Sequence, residues 1–205
     1  MMEKFHNLPT EKQNAIINAA LESFGTNGYK KTSVNDIAAA AGISKAMVFH
    51  YFGTKKDLYF YLLNYCGNLI IGEITERFNH SVTDFFDRIT MAAKIKMEVI
   101  KKQPASLSFL YSVFYESNEE VRGGINDFIS KSEEIKTTFT FDGMDYTKFK
   151  EGVDVTKVLQ MLTWMAEGFS GPSKSIRVSE MDAKMEEFYE AMELLRRNLY
   201  KEEYL

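Results

Sequence analysis

Apolar residues recur along this chain at the three- and four-residue spacing of amphipathic helices, and no segment alternates apolar and polar residues for more than a few positions. The first such stretch opens at Thr10-x-x-Gln13, which has the spacing of a capping box. Ile16, Ala20 and Phe24 then give the predicted helix one apolar face. The pattern as a whole predicts an all-α protein.

Helix caps, glycines and prolines divide the rest of the chain into further helices, one of which opens at Thr54-x-x-Asp57 with capping-box spacing. Pro104 ends one helix because proline cannot continue a helical hydrogen-bond ladder, and the Gly123–Gly124 pair weakens another. Residues 140–153 lack a helical pattern and are predicted to form a loop. About nine helices and no sheet follow, over residues 10–26, 54–78, 81–102, 105–117, 119–139, 154–169 and 179–200, with two short helices that begin at residues 33 and 44.

The segment from Thr32 to Lys56 combines a short alanine-rich helix, a glycine turn and a second short helix. Ser33 and Asp36 have capping-box spacing, which predicts that the first helix begins at Ser33. Gly42 stands where this helix must stop, and glycine adopts the left-handed cap conformation without a steric penalty. Such a pair of helices is typical of a helix-turn-helix that binds DNA, although an ordinary helical hairpin with a glycine stop gives the same local pattern.

The second short helix is predicted to begin after Ser44 as its N-cap. Ile43 before the cap and Val48 after it occupy the positions of a hydrophobic staple, which fixes the angle at which a helix enters. A recognition helix needs such a fixed angle to present its side chains to the major groove. With Ile43 and Val48 turned inward, the residues left to project outward are Lys45, Ala46, Met47, Phe49, His50 and Tyr51.

Composition is that of an ordinary globular protein. At 205 residues with 45% hydrophobic residues the chain can form one or two small domains, and 3 prolines and 12 glycines argue against a loop-rich protein. The single cysteine, Cys66, cannot form an internal disulfide, and no zinc-ligand spacing occurs. The first residues are polar, unlike a signal peptide, and no run approaches the ~18 apolar residues of a membrane span. A cytoplasmic location and no cofactor or metal are expected.

The net charge of −4 does not by itself suggest a nucleic-acid partner, but the distribution of charge does. The first 60 residues hold seven lysines and five acidic residues, a balance of +2, so the remainder carries −6. A mildly basic head on an acidic body would let phosphates approach only the basic side.

Four motifs occur in order between residues 10 and 60: Ile16-x-x-Ala19-Ala20-x-x-x-Phe24, Gly28-Tyr29-x-x-Thr32-Ser33-Val34-x-x-Ile37-Ala38, Ala41-Gly42-Ile43-Ser44-Lys45 and Phe49-His50-Tyr51-Phe52-x-x-Lys55-x-x-Leu58. Together they resemble the N-terminal domain of the tetracycline-repressor (TetR) family of bacterial transcription regulators. The rest of the chain resembles the family only in length and helical character. The resemblance implies a three-helix DNA-binding domain over residues 1–53 and a helical effector-binding and dimerisation domain over residues 54–205.

The resemblance also implies that the helix from Ser44 to Tyr51 enters the major groove. Lys45 matches a base-contact position and is the candidate for guanine O6 and N7. Lys55 matches a phosphate-contacting lysine at the start of the next helix, where free N–H groups also attract an anion. The implied DNA-binding residues are Thr32, Ser33, Ser44, Lys45, Ala46, Met47, Phe49, His50, Tyr51 and Lys55.

Two of these positions depart from the family pattern. The family often has a hydroxyl residue where this chain has Met47, and a tyrosine where it has Phe49. Met47 can contact a thymine methyl group but donates no hydrogen bond, and Phe49 lacks the phenol that would reach phosphate. DNA shape is therefore expected to contribute more to specificity. His50 is either a phosphate contact or a packed or solvent-facing imidazole, and Phe52 is assigned to the core.

In the family, the last two helices of each subunit form a four-helix bundle across a two-fold axis. The corresponding predicted helices here are Asp154–Phe169 and Ser179–Tyr200, and the second has apolar residues on more than one side. A homodimer would place two recognition helices about 34–36 Å apart on a palindromic operator. The alternative is that the last helix closes the core of a single subunit.

The middle of the chain is rich in aromatic residues and methionine, which make an adaptable apolar surface. A hydrophobic core accounts for most of them, and an effector cavity would need only a few. Trp164 and Glu167 are three residues apart, so a ring and a carboxylate could also converge on a cation. The candidate pocket residues are Phe109, Phe114, Met161, Trp164, Met165 and Glu167.

The expected function is transcription regulation, by a repressor that leaves its palindromic operator when a small apolar effector tilts the helix beginning at Thr54. The sequence does not separate repression from activation. An architectural or adaptor DNA-binding protein without an effector is the alternative. An enzyme is not expected, because the three histidines lie in or near the DNA-binding segment and its connector, and no nucleophile elbow, phosphate-binding glycine loop or metal motif occurs.

Overall fold

The computed structural model describes residues 2–170 and 178–205, without the side chains of residues 167, 169, 170, 178 and 179. This part of the chain is helical and holds no β-strand, which confirms the predicted all-α class. None of the described helices combines the length and the apolar character that crossing a membrane requires. The α-helices are α1 (Met2–His6), α2 (Thr10–Lys31), α3 (Val34–Ala40), α4 (Lys45–Phe52), α5 (Lys55–Arg77), α6 (Phe85–Lys102), α7 (Pro104–Phe114), α8 (Glu119–Phe141), α9 (Val155–Ser170) and α10 (Val178–Leu199), and 3₁₀ turns cover Tyr146–Lys148 and Glu202–Tyr204.

The described chain has one α-helix more than the sequence predicted, because α1 is too short to show a helical period. Tertiary packing holds this helix in place: Phe5 is fully buried, with its ring centre 4.8 Å from that of Phe52 and 5.5 Å from that of Tyr61. Isolated helices of this length are unstable in water, so contacts from distant residues decide whether they form.

Glycines have different effects in two of the helices. The regular backbone of α2 is interrupted at Gly28, whose φ of 68° is not helical, and a last turn then reaches Lys31. Helix α8 runs through the glycine pair, and a Cβ atom at Gly124 would lie 2.5 Å from the ring of Phe60. Glycine there allows α5 and α8 to approach closely, and the predicted loop after residue 139 begins only after Phe141.

The chain packs as two compact units. The N-terminal unit comprises Met1–Glu73 and Glu98–Glu134, and the C-terminal unit comprises Ile74–Met97 and Ile135–Leu205. These packing units differ from the predicted division after residue 53, because α7 packs with α2 and the first part of α8 packs with α5. That predicted division concerns function and stays a prediction.

The N-terminal unit has an aromatic core to which α7 contributes. The ring centre of Tyr59 lies 5.1 Å from that of Phe24 and 5.2 Å from that of Phe109, and all three rings are buried. Helix α7 lies so close to α2 that a Cβ atom at Gly25 would stand 2.9 Å from the backbone nitrogen of Phe109. Since backbone atoms cannot move aside, Gly25 permits this helix contact.

Arg88 is a buried charged residue of the C-terminal unit, with 1% of its surface exposed. Its guanidinium donates hydrogen bonds of 2.7–3.0 Å to the carbonyl oxygens of Val82, Phe139 and Asp142. It also stacks on the ring of Phe78 at 4.9 Å. Arg88 therefore donates to backbone acceptors before α6 and at the end of α8, in hydrogen bonds that are partly buried.

An ion-pair cluster joins the start of α6 to the end of α10 in the same unit. Asp84 accepts hydrogen bonds of 2.9 Å from Lys148 and from Arg196, and Arg196 also pairs with Asp87. Burial alone would raise the pKa of Asp84, but the hydrogen bonds from Lys148 and the Asp87 backbone and the charge of Arg196 bring it below its usual range. The cluster therefore holds Asp84 as an anion.

Candidate nucleic-acid interface

The turn between α3 and α4 forms as the local sequence predicts. Gly42 has a φ of 67°, and the Ile43 backbone N–H closes the turn with a 2.9 Å hydrogen bond to the carbonyl oxygen of Ala38. The Ser44 hydroxyl caps α4 by accepting a 3.2 Å hydrogen bond from the Met47 backbone N–H. The predicted N-cap at Ser44 is thus confirmed, and its hydroxyl hydrogen stays available to an outside acceptor.

Helix α4 separates its residues between core and solvent. Val48, Tyr51 and Phe52 are buried, with 1%, 5% and 4% of their surfaces exposed. The opposite side of the helix is open to solvent, and its residues are Lys45, Ala46, Met47, Phe49 and His50. We call these five residues the α4 outer face.

The order of residues around α4 follows from its helical geometry. At about 100° per residue, Ala46 stands at the centre of the outer face. Lys45 and Phe49 lie on one flank, and the Lys45 ammonium is 5.7 Å from the centre of the Phe49 ring. Met47 and His50 lie on the other flank. The small side chain at the centre leaves room for a surface to approach the helix closely.

Two of the predicted DNA-contacting residues, Tyr51 and Thr32, are buried in the structure. Tyr51 does not project outward: its ring packs 6.1 Å from that of Phe5, because the helical period puts it on the same side as Val48. Thr32 is buried as well, and its hydroxyl donates to the carbonyl oxygens of Ser23 and Gly28 at 3.0 and 2.7 Å. Neither of these groups belongs to the exposed surface.

Ser33, the other predicted hydroxyl contact at the start of α3, is more accessible than Thr32. Ser33 is half-buried and is the N-cap of α3, where it accepts a 3.2 Å hydrogen bond from the Asn35 backbone N–H. The side chain of Asp36, its predicted capping-box partner, is not part of this contact. Helix α5 does begin with the predicted capping box, because Thr54 and Asp57 exchange hydrogen bonds of 3.0 and 3.1 Å.

Lys55 lies half-buried at the start of α5. Its ammonium is 4.6 Å from the centre of the Tyr29 ring and 3.4 Å from the carbonyl oxygen of Lys30. Burial lowers the pKa of Lys55, and the charges of Glu120 and Glu116 act against that shift. Lys55 is therefore held in position by neighbours before any phosphate arrives.

A contact without any local signal in the sequence joins the corner between α7 and α8 to the bend in α2. The Tyr29 backbone N–H donates a 2.7 Å hydrogen bond to one carboxylate oxygen of Glu116, and the other oxygen accepts a 2.9 Å hydrogen bond from the Asn118 backbone. Burial raises the pKa of Tyr29, and a hydrogen bond to Glu120 raises it further. We call Glu116 and Glu120 the acidic corner.

The candidate pocket residues are divided between the two packing units. In the N-terminal unit Phe109 belongs to the filled aromatic core, whereas Phe114 is 58% exposed. In the C-terminal unit Met165 packs against the core, while Met161 and Trp164 are 40% and 56% exposed on α9. The side chain of residue 167 lies outside the described part of the structure. Sequence could not separate these cases, because aromatic and methionine residues occur in both cores and contact surfaces.

Known regulators share the first part of this sequence. Residues 16–62 match the family described as bacterial regulatory proteins, tetR family. A fatty acid metabolism regulator protein of Bacillus subtilis (strain 168) is 28% identical over 158 residues, which span 74% of this chain and 77% of that protein. The HTH-type transcriptional regulator BetI of Agrobacterium fabrum is 40% identical over 47 residues, or 23% of each protein.

Solved structures share the whole fold. A TetR family transcriptional regulator from Chloroflexus aurantiacus J-10-FL has a TM-score of 0.67 and 21% identity, covering 97% of this chain and 98% of that one. The fatty acid degradation regulator FadR from Bacillus halodurans has a TM-score of 0.66 and 18% identity, covering 87% of this chain and 96% of its own. At these identities the likeness shows the fold alone.

Proposed function

Because this chain belongs to the tetR family of bacterial regulatory proteins and is a DNA-binding transcriptional regulator rather than an enzyme, we propose that it is a repressor which a small apolar effector releases from a palindromic operator. The observation that supports the DNA-reading part is the α4 outer face. It stands on a capped helix with a core side formed by Val48, Tyr51 and Phe52, so its five side chains have fixed positions. Such a helix suits insertion into the major groove.

Lys55 is proposed to contact phosphate and Lys45 to contact a base, and DNA-binding measurements can distinguish these two roles. Lys55→Ala is expected to weaken binding about equally for all sequences and to reduce the dependence of log affinity on log salt by about one ion per subunit, since it would neutralise a phosphate. Lys45→Ala is expected to relax preference at one base pair in each half-site, because guanine contact by a lysine carries base information. Both variants are compared by selection from a randomised duplex pool and by anisotropy over a salt series.

Lys56→Ala provides a control for this pair, because Lys56 adjoins Lys55 in sequence and is exposed. It should change the salt dependence less than Lys55→Ala. An unchanged base preference in Lys45→Ala would remove Lys45 from base reading. Failure of the unmodified protein to bind any duplex at low salt would contradict the proposed function itself.

The proposed homodimer uses α9 and α10. Met161, Trp164 and the 64% exposed Leu194 are large apolar side chains on the solvent side of these helices. Exposed tryptophan and methionine are enriched in protein interfaces, where burial against a partner offsets the cost of their hydration. Two subunits related by a two-fold axis would suit a palindromic operator.

The acidic corner supports a route by which the helical body influences DNA binding. Glu116 accepts a hydrogen bond from the backbone at the bend of α2, four residues before the cap of α3. The negative charges of the acidic corner also raise the pKa of Lys55 and so favour its charged form. A shift of α7 that moved Glu116 would therefore disturb both the start of the helix-turn-helix and a phosphate contact. We propose this as the coupling between effector and operator, in place of a tilt of α5 alone.

Two substitutions of Glu116 separate its geometry from its charge. Glu116→Ala removes the acceptor of the Tyr29 N–H, and we expect DNA affinity to fall by about tenfold, equivalent to one lost hydrogen bond to a charged group. Glu116→Gln keeps an acceptor but removes the charge near Lys55, so its affinity should stay within about twofold at moderate salt. Anisotropy with the selected duplex measures both, and circular dichroism checks the fold. Equal affinities for the two variants would exclude a positional role for Glu116.

The effector class is proposed from the extent of one match. The Bacillus subtilis fatty acid metabolism regulator matches 158 residues of this chain, whereas the BetI match is confined to 47 residues. Because the longer match extends beyond the DNA-binding segment, we propose that the chain regulates fatty acid metabolism and responds to a fatty-acid-derived compound. Release of the selected duplex by palmitate or its thioester, and not by acetate, would support this class. Release by none of them would exclude it.

A further inference from the structure

The α4 outer face carries unusually few hydrogen-bond donors for a surface that reads bases. Of its five residues, only Lys45 and His50 have a side-chain donor. Ala46, Met47 and Phe49 have none, yet they occupy the centre and both flanks of the face. Hydrogen bonds from side chains to base edges can therefore account for only a small part of sequence recognition by this helix.

The same three residues expose apolar surface. Met47 and Phe49 are each 38% exposed, although α4 already contributes Val48, Tyr51 and Phe52 to the core. Exposed apolar area is costly in water, at about 25 cal/mol per Å², and the cost is recovered when a partner covers it. The partner of a recognition helix is the floor of the major groove.

The floor of the major groove has one apolar feature, the 5-methyl group of thymine. Ala46 at the centre of the outer face permits close approach, and its own methyl group would then lie nearest to the bases. The ring of Phe49 and the thioether of Met47 extend to either side, each long enough to reach a neighbouring base pair. The Lys45 ammonium, 5.7 Å from the Phe49 ring, adds a cation beside this apolar surface.

We propose that α4 recognises its operator through the 5-methyl groups of pyrimidines, with Ala46, Met47 and Phe49 as the residues that contact them. This inference rests on the proposed DNA-binding function and specifies what the helix reads. It has a further consequence, because 5-methylcytosine places the same group in the major groove as thymine. A cytosine at a contacted position would bind poorly until it is methylated.

Methyl-deleted DNA tests the inference directly. The full-length protein first selects a duplex from a randomised pool, and each thymine of one half-site is then replaced in turn by deoxyuridine, which keeps base pairing and lacks only the methyl group. We expect affinity to fall about fourfold at each contacted thymine, the value for one buried apolar carbon, and about 15-fold when the symmetry-related thymine is replaced too. Deoxyuridine in the flanks of the site is the control.

Protein variants assign the contact to residues. Phe49→Gln and Met47→Gln keep a side chain of moderate length and good helix propensity but make it polar. At the thymine that the replaced residue contacts, each variant should bind the thymine duplex and the deoxyuridine duplex with nearly the same affinity. Phe49→Tyr retains the ring and should keep the difference between the two affinities. Circular dichroism establishes that each variant retains its helices.

Adding a methyl group to the DNA should have the opposite effect on affinity to removing one. Cytosine placed at a contacted thymine position should lower affinity, and 5-methylcytosine at the same position should restore about fourfold. If no thymine in the selected site responds to deoxyuridine while the duplex still binds, the inference is wrong and the proposed function stands. If the protein selects no duplex at all, the proposed DNA-binding function itself is wrong.

Discussion

Arg88→Met is expected to lower the free energy of unfolding by about 3–5 kcal/mol, a large fraction of the stability of an ordinary domain. The change removes the donor of partly buried hydrogen bonds to the carbonyl oxygens of Val82, Phe139 and Asp142, and each lost hydrogen bond from a charged group costs about 1.5–3 kcal/mol. Methionine recovers part of this cost because it no longer buries a charge and packs against the Phe78 ring. Urea unfolding followed by circular dichroism measures the difference.

Arg197→Met is the matched control for this experiment. Arg197 is a surface residue whose side chain is 69% exposed and pairs with Glu193 one helical turn away at 3.0 Å. Pairs of this kind contribute at most about 0.5 kcal/mol, so the control should unfold close to the unmodified protein. Similar losses in both variants would show that the hydrogen bonds of Arg88 do not stabilise the fold.

Trp164→Glu is expected to convert the proposed dimer into a monomer and thereby to abolish operator binding at submicromolar protein. A tryptophan at the centre of an interface typically contributes about 2 kcal/mol or more, and a two-fold axis makes each substitution count twice. The dimer would then dissociate about 1,000-fold more readily. Sedimentation velocity over a concentration series measures the dissociation, and anisotropy with the selected duplex measures its consequence.

The control replaces an aromatic residue elsewhere in the same unit. Tyr146 is 54% exposed, close to the exposure of Trp164, but it lies in the 3₁₀ turn Tyr146–Lys148 and not on α9 or α10. Tyr146→Glu should leave both the dimer and DNA binding unchanged. A Trp164→Glu variant that sediments as the unmodified protein would place the subunit contact elsewhere.

Local signals in the sequence predicted several local structures, although the capping boxes expected for Thr10 with Gln13 and for Ser33 with Asp36 do not form. The Ser44 cap, the left-handed Gly42 and the reciprocal hydrogen bonds of Thr54 with Asp57 all form as expected, because each depends on residues within four positions of one another. The outward position of Lys45, Met47 and Phe49 followed from the same periodicity once Val48 was assigned to the core.

Features that depend on distant residues could not be predicted. The helical period puts Tyr51 beside Val48, but the ring that covers it is Phe5 of α1, and α1 gives no periodic signal in five residues. The contact of Glu116 with Tyr29 spans 87 positions, and nothing in either segment marks the other. Local pattern cannot supply information that exists only once the chain has folded.

The candidate pocket illustrates a second limit. Phe109 is fully buried, whereas Phe114 at the end of the same helix is mostly exposed, although the two residues are chemically identical. Which side of a helix meets a neighbour depends on the packing of whole helices, and an aromatic-rich segment does not reveal it. The same composition therefore served equally well as evidence for a cavity, a core or a contact face.

The close contact at Gly25 has a practical consequence for protein engineering. Hybrid regulators are commonly imagined as a DNA-reading head joined to a foreign sensor, with the junction placed just after the recognition helix. In this protein α7 rests directly on the backbone of α2, and no residue larger than glycine fits between them. A DNA-binding segment transferred without α7 would lose the helix that packs on it. A working hybrid must therefore include residues 98–134 together with residues 1–73, or the α2–α7 contact must be redesigned in the recipient protein.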